Sequence, residues 1–177
     1  VAQIGYIYMG IGLGTRIGMT AACFHILAHA ITKTMLFVCC GQMVEDSGNK
    51  EQIFYLKGAG LRNPLAGIGF TAGALSMVGV PLTAGCISKL YFASASVYAP
   101  GKMAAVLVVL AISMILNALY FLPSTIAIWT PKKTEVQEKP APISVSPAFG
   151  IAVVLFIVAN ITLGIWYRPF IHIIEMG

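Results

Sequence analysis

Apolar residues run along this chain in five long blocks, roughly 1–14, 17–44, 64–97, 103–129 and 147–167. Four of them reach or exceed the roughly 20 residues that a helix needs to cross a hydrocarbon layer. Between the blocks lie short polar stretches, "TR", "EDSGNKEQIFYLKGAGLRNP", "YAPGK" and "PKKTEVQEKPAPISVSP". The last is rich in Pro, Lys and Glu, which marks an exposed connection. The final "YRPFIHIIEMG" is too short to span and is expected at the membrane interface. The pattern predicts an all-α, polytopic transmembrane helix bundle. Its expected divisions are residues 1–130 as a transmembrane domain, 131–147 as a polar loop, and 148–177 as a last helix with its tail. Because residue 1 is Val and the chain begins inside an apolar run, the sequence is expected to be a fragment truncated at its N-terminus.

The block 64–97 is too long for one straight crossing and too short for two. Its centre reads "GVPLTAG", where Pro81 removes a backbone donor and Gly79 and Gly85 loosen the chain on either side. One crossing made of two half-helices is expected. Charge placement agrees. With a single broken crossing, Lys50, Lys57, Arg62, Lys132, Lys133 and Lys139 fall on one side, and Arg16, Lys102 and Arg168 on the other. That bias predicts cytoplasmic loops at 46–63 and 131–147.

Composition sharpens the class. The chain of 177 residues is 58% hydrophobic and 10% charged, with a mean hydropathy of +0.87. Soluble domains carry roughly 25% charged residues, so this chain lacks the polar groups to cover a water-facing surface. The net charge of +5 is scattered through loops and forms no basic cluster for nucleic acid. Cys23, Cys39, Cys40 and Cys86 lie in apolar segments without CxxC spacing and are expected to be small buried hydrophobes. "GIGLG" at 10–14 lacks the spacing and the preceding strand of a nucleotide-binding turn.

Two cations remain inside the apolar blocks, Lys33 and Lys89, while all six acidic residues lie in loops or the tail. A lysine at the centre of a spanning helix costs about 2.5–3.5 kcal/mol on insertion scales, and such residues face a bundle interior near polar partners. His25, His29 and Lys33 recur at steps of four and so stack along one helix face over about 12 Å. Imidazole accepts on one nitrogen and donates on the other, which is what a proton needs to cross an apolar layer. Thr20 and Thr32 add hydroxyls nearby, although Thr in spanning helices also bonds its own backbone. A zinc site on the two histidines lacks a third ligand and faces repulsion from Lys33. Thr83, Ser88 and Lys89 cluster at the break, where freed backbone groups form ion sites in transporters. Asn117 and Tyr120 are a further possible polar lining, and Pro123 is expected to kink its helix.

"VAQIGY" at 1–6, "FHILAHAITKTMLFVCCG" at 24–41, "LKGAGLRNP" at 56–64 and "GALSMVGVPLTAGCISKLY" at 73–91 occur in the order found in one family. The chain resembles the antiporter-like membrane subunits of respiratory complex I, Mrp sodium/proton antiporters and membrane-bound hydrogenases. The resemblance covers nearly all of residues 1–125. "LNALYFLP" looks most like the Mrp D-type and hydrogenase-type branch. The resemblance implies about fourteen helices in two inverted repeats, of which this chain is most of the second. It makes Lys33 the central lysine, His25 and His29 its neighbours, and Lys89 the lysine of the second broken helix. It implies proton translocation, or Na⁺/H⁺ antiport, by a non-catalytic subunit without cofactors, partnered by other membrane subunits and lipid in a prokaryotic cell membrane. The alternative is a non-conducting subunit that anchors partners.

Overall fold

The computed structural model describes residues 2–49, 52–131 and 146–176; the loop expected at 131–147 lies almost wholly outside them, as do Lys50, Lys132, Lys133 and Lys139. Among the described residues every regular element is a helix. They are α1 (Ala2–Gly12), α2 (Arg16–Glu45), α3 (Ala59–Arg62), α4 (Pro64–Val78), α5 (Ala84–Val97), α6 (Pro100–Trp129), α7 (Pro147–Ile165) and α8 (Arg168–Met176). Helices α2, α6 and α7 are long and apolar enough to cross a membrane, and α4 is a shorter apolar helix.

Helices α1 and α2 form a tight hairpin. Gly14 turns the chain at a φ of +65°, and the Thr15 side chain caps α2 by accepting from the Gly18 amide. The helices then cross so closely that a Cβ on Gly10 would stand 2.7 Å from the Gly18 carbonyl oxygen. Small residues do the same for α2 and α4. A Cβ on Gly69 would meet Cys39, and one on Gly73 would meet Leu36. Close backbone approach through glycines is how helices associate where lipid removes the hydrophobic incentive.

The crossing at 64–97 is single and broken. The start of α4 lies against the end of α6, where Trp129 donates from Nε1 to Thr71 Oγ1 at 2.9 Å and Gly58 N–H reaches the Ala127 carbonyl. The end of α5 leads through two residues into the start of α6. Together α4 and α5 therefore run antiparallel to α6 and traverse the bundle once. Lys57 and Arg62 belong to one end of the bundle. Arg16, Lys102 and Arg168 belong to the other, where Lys102 donates to the Gly12 carbonyl and Arg16 to that of Glu175. Helix α6 runs unbroken through Pro123.

Helix α7 packs on α2, α4 and α5, and Gly164 lets it lie directly on the backbone of Leu82 and Thr83 in the break. Only Cys39 of the four cysteines is buried; Cys23 is exposed and Cys40 and Cys86 are half-buried, all as free thiols. The outer surface is apolar, with Val108, Ile112, Leu119, Ile151, Leu155 and Val158 all exposed. The chain is an integral, multi-pass membrane protein.

Candidate functional site

The break spans 79–83 and is built by two left-handed residues. Gly79 caps α4 at a φ of +99°, Leu82 takes +74°, and Pro81 stands between them. Gly85 is not in the loop. It lies in the first turn of α5, where the absent side chain lets that turn sit against the backbone of Ser76. The half-helices thus overlap side by side, which brings the orphaned amides of one beside the orphaned carbonyls of the other.

Those orphans are answered one by one. Ala84 N–H reaches Asn160 Oδ1 at 3.4 Å, Gly85 N–H reaches Ser76 Oγ at 3.2 Å, and Cys86 N–H reaches Thr83 Oγ1 at 3.4 Å. Asn160, buried in α7, donates to Thr32 Oγ1 at 2.7 Å and to Ser76 Oγ at 3.2 Å. One amide therefore ties α2, α4, α5 and α7 together at the level of the break. On the carbonyl side, the Lys89 ammonium donates to Met77 O at 2.9 Å. Lys89 is 5% exposed, with its ammonium 5.9 Å from the centre of the Tyr6 ring. Its counter-charge is the negative end of α4, because the described carboxylates, Glu45, Asp46 and Glu175, all lie at the bundle ends.

The two histidines meet this lysine. His25 is 3% exposed and shares a hydrogen bond of 2.9 Å between Nδ1 and Ser88 Oγ. The Ser88 hydroxyl also donates to Gly85 O at 3.1 Å, so it accepts from a protonated His25 Nδ1 and serves the other tautomer only by turning away from Gly85. His29 stacks on His25 with ring centres 6.0 Å apart and planes within 9°. Gln3, His25, His29, Thr32, Ser76 and Lys89 line a narrow crevice with about 10 Å³ open to the centre of a water molecule, close to room for one. Three buried nitrogens of these side chains, Gln3 Nε2, His25 Nε2 and His29 Nδ1, have no hydrogen-bond partner among the described residues. The site is polar, small and unfinished on one side.

Lys33 stands apart. It is exposed, and its ammonium lies 5.5 Å from the centre of the Phe37 ring. The steps of four explain this. A turn holds 3.6 residues, so each step drifts by about 40° around the axis, and the file slants from the buried His25 through the half-buried His29 to the outer Lys33. Thr83 is a cap, donating to Val80 O and accepting from Cys86 N–H, and does not line the crevice. Asn117 and Tyr120 lie on α6 away from it, Tyr120 at 71% exposure. Thr20 donates to Arg16 O and Thr32 to Ala28 O, the back-bonding expected of membrane threonines.

Gln3, Tyr6, Ser76 and Asn160 belong to the site and were not singled out by the sequence reading. A lone amide within the apolar α7 was a usable signal, since polar groups at that depth need partners. Ser76 carried none, because its importance arises only from the overlap of the half-helices.

A broken membrane helix with a buried lysine, flanked by a histidine-bearing helix, defines a class of multi-pass membrane protein. The family model described as "NADH:quinone oxidoreductase/Mrp antiporter, TM" matches residues 1–116, and the chain belongs to that family. NADH-quinone oxidoreductase subunit N of Desulforudis audaxviator is 35% identical over 121 residues, covering 68% of this chain and 24% of the relative. F(420)H(2) dehydrogenase subunit N of Methanosarcina mazei is 27% identical over 188 residues, covering 98% and 36%. In fold the chain matches a chain of the Mrp complex from Dietzia sp. DQ12-45-1b, with a TM-score of 0.79, 24% identity, and coverage of 98% and 39%. The chain thus spans about a quarter to two-fifths of these relatives. The likeness extends across the dehydrogenase and Mrp branches, so membership is in the family as a whole.

Proposed function

We propose that this chain is the proton-relaying part of an antiporter-like membrane subunit, working with other membrane subunits in a complex I-like, Mrp-like or hydrogenase-like assembly. One observation carries the reading. A buried lysine with no carboxylate partner among the described residues lines a narrow crevice with Gln3, His25 and His29, which carry three buried nitrogens that have no hydrogen-bond partner there. Packing alone gives no reason to keep such groups at membrane depth, where each unsatisfied one is costly.

In the proposed relay, protons step between Lys89, His25 and His29, with water completing the contacts, and leave toward Lys33. His25 exchanges tautomers as the Ser88 hydroxyl turns between Gly85 O and His25 Nδ1. Because ammonium groups repel, loading Lys33 lowers the affinity for a proton further along the file. Two cations about 8 Å apart interact by about 2 kcal/mol at an effective dielectric near 20, enough to bias the next transfer. The Lys57 and Arg62 end is proposed to be cytoplasmic, on the positive-inside rule, in a prokaryotic cell membrane.

The test uses the intact complex in sealed vesicles. Replacing Lys33 by Ala is expected to abolish or strongly reduce pH-driven dye responses while the complex still assembles. Responses with and without Na⁺ separate pure proton movement from Na⁺/H⁺ exchange. Wild-type movement of both ions in that variant overturns the reading in favour of a non-conducting anchor.

A further inference from the structure

At the end of the bundle opposite Lys57 and Arg62, helices α2, α5 and α8 border an open cleft of about 270 Å³, lined by Arg16, Tyr91, Arg168, Ile171, His172 and Glu175. Arg16 opens α2 and Arg168 opens α8, and both line this cleft, which the C-terminal end of α8 also borders through Glu175 and Met176. Arg16 spends one donor on the backbone carbonyl of Glu175, which pins α8 across the start of α2. The Glu175 side chain lines the same pocket, yet its carboxylate forms no ion pair with either arginine among the described residues. Both guanidinium forks keep donors free, and they suit a group with several acceptor oxygens.

The height of the pocket is marked by its surroundings. Trp166 and Tyr98 are exposed nearby in the chain, Tyr91 and Tyr167 pack edge to face, and aromatic residues of this kind gather at the headgroup level of a bilayer. Helix α8 is two-faced, burying Ile171 while Arg168, His172 and Glu175 stay exposed, as in helices that lie in the interface plane.

We infer that the Arg16–Arg168 pocket holds the phosphate headgroup of an anionic phospholipid, with α8 lying along the membrane surface beside it. The lipid locks α8 against α2 and α5, at the outer end of the helix that carries His25. The inference is independent of the proposed relay.

The intact complex, purified in mild detergent, is titrated with phosphatidylglycerol, phosphatidylcholine or inorganic phosphate, and bound lipid is counted by native mass spectrometry. Phosphatidylglycerol is expected to bind, and the paired Arg16→Gln and Arg168→Gln variant to bind it about 25-fold more weakly, roughly fivefold per arginine. Equal retention of phosphatidylcholine, competition by millimolar inorganic phosphate, or unchanged binding in the variant each overturns the inference. Should the variant fail to assemble, wild-type retention decides: it falls as salt rises from low to high concentration if the contact is ionic, and salt-independent retention contradicts it.

Discussion

The ammonium of Lys89 is held 2.9 Å from the carbonyl oxygen of Met77, a residue twelve positions earlier on the other half of the same broken helix. Among the described residues no carboxylate lies at this depth, and the exposed end of a helix takes its place. Breaking the crossing at 79–83 frees the last carbonyls of α4, and their aligned dipoles stand in for the missing anion. A carbonyl is a weaker partner than a carboxylate, so the lysine is stabilised without being trapped in its charged form.

Gly79 makes that arrangement possible twice over. Its φ of +99° disfavours any side chain, and a Cβ there would stand 3.0 Å from the Lys89 ammonium. Gly79→Ala is expected to destabilise the subunit by about 1–2 kcal/mol through backbone strain alone. It also displaces the ammonium from Met77. Thermal unfolding of the purified complex, read beside proton movement, checks both effects.

Asn160 carries the heaviest structural duty in the site. Asn160→Leu removes the amide donor to Thr32 and Ser76 and leaves the Ala84 amide without its acceptor, while Gly85 N–H still reaches Ser76 Oγ. A loss of about 2–4 kcal/mol is expected, more than for one ordinary hydrogen bond. A lowered unfolding midpoint checks it, and an unchanged midpoint means that other groups replace the amide.

Lys33 and Asn160 should separate cleanly. Because Lys33 is exposed in this structure, Lys33→Ala is expected to change the stability of this bundle by no more than about 0.5 kcal/mol. Ion movement nevertheless falls. Stability and transport measured on one preparation test the contrast.

Ser88→Ala removes the partner that fixes the His25 ring. Proton movement is expected to drop about tenfold, the equivalent of one hydrogen bond of roughly 1.4 kcal/mol, with assembly intact. His25→Ala should cost more, since it removes the proposed carrier itself. Equal effects from the two would make Ser88 part of the relay.

Much of this was legible beforehand, for identifiable reasons. Gly79 and Pro81 announce a break because their constraints are local, and the block length of 64–97 left room for one crossing only. The slant of His25, His29 and Lys33 was missed: the steps of four suggest one face turned to the bundle interior, but four residues overshoot a turn and Lys33 ends exposed. The identity of the enclosing partners was not legible. Gly85 reads as a loosener but acts as a contact, because the overlap of α4 and α5 is a tertiary fact. Asn117 and Tyr120 looked like lining because α6 is apolar all round, and such a helix gives no sign of which side faces the bundle. Ser76 and Gln3 acquire meaning only once four helices have met.

The central claim is that Lys89 is buried in order to carry protons. Its most direct test is proton uptake into vesicles containing the intact complex with Lys89→Met, a substitution close in length that suits an apolar setting. The account predicts a complex that assembles and is at least as stable as wild type, yet moves protons at a small fraction of the wild-type rate. Wild-type proton movement in that variant would contradict it.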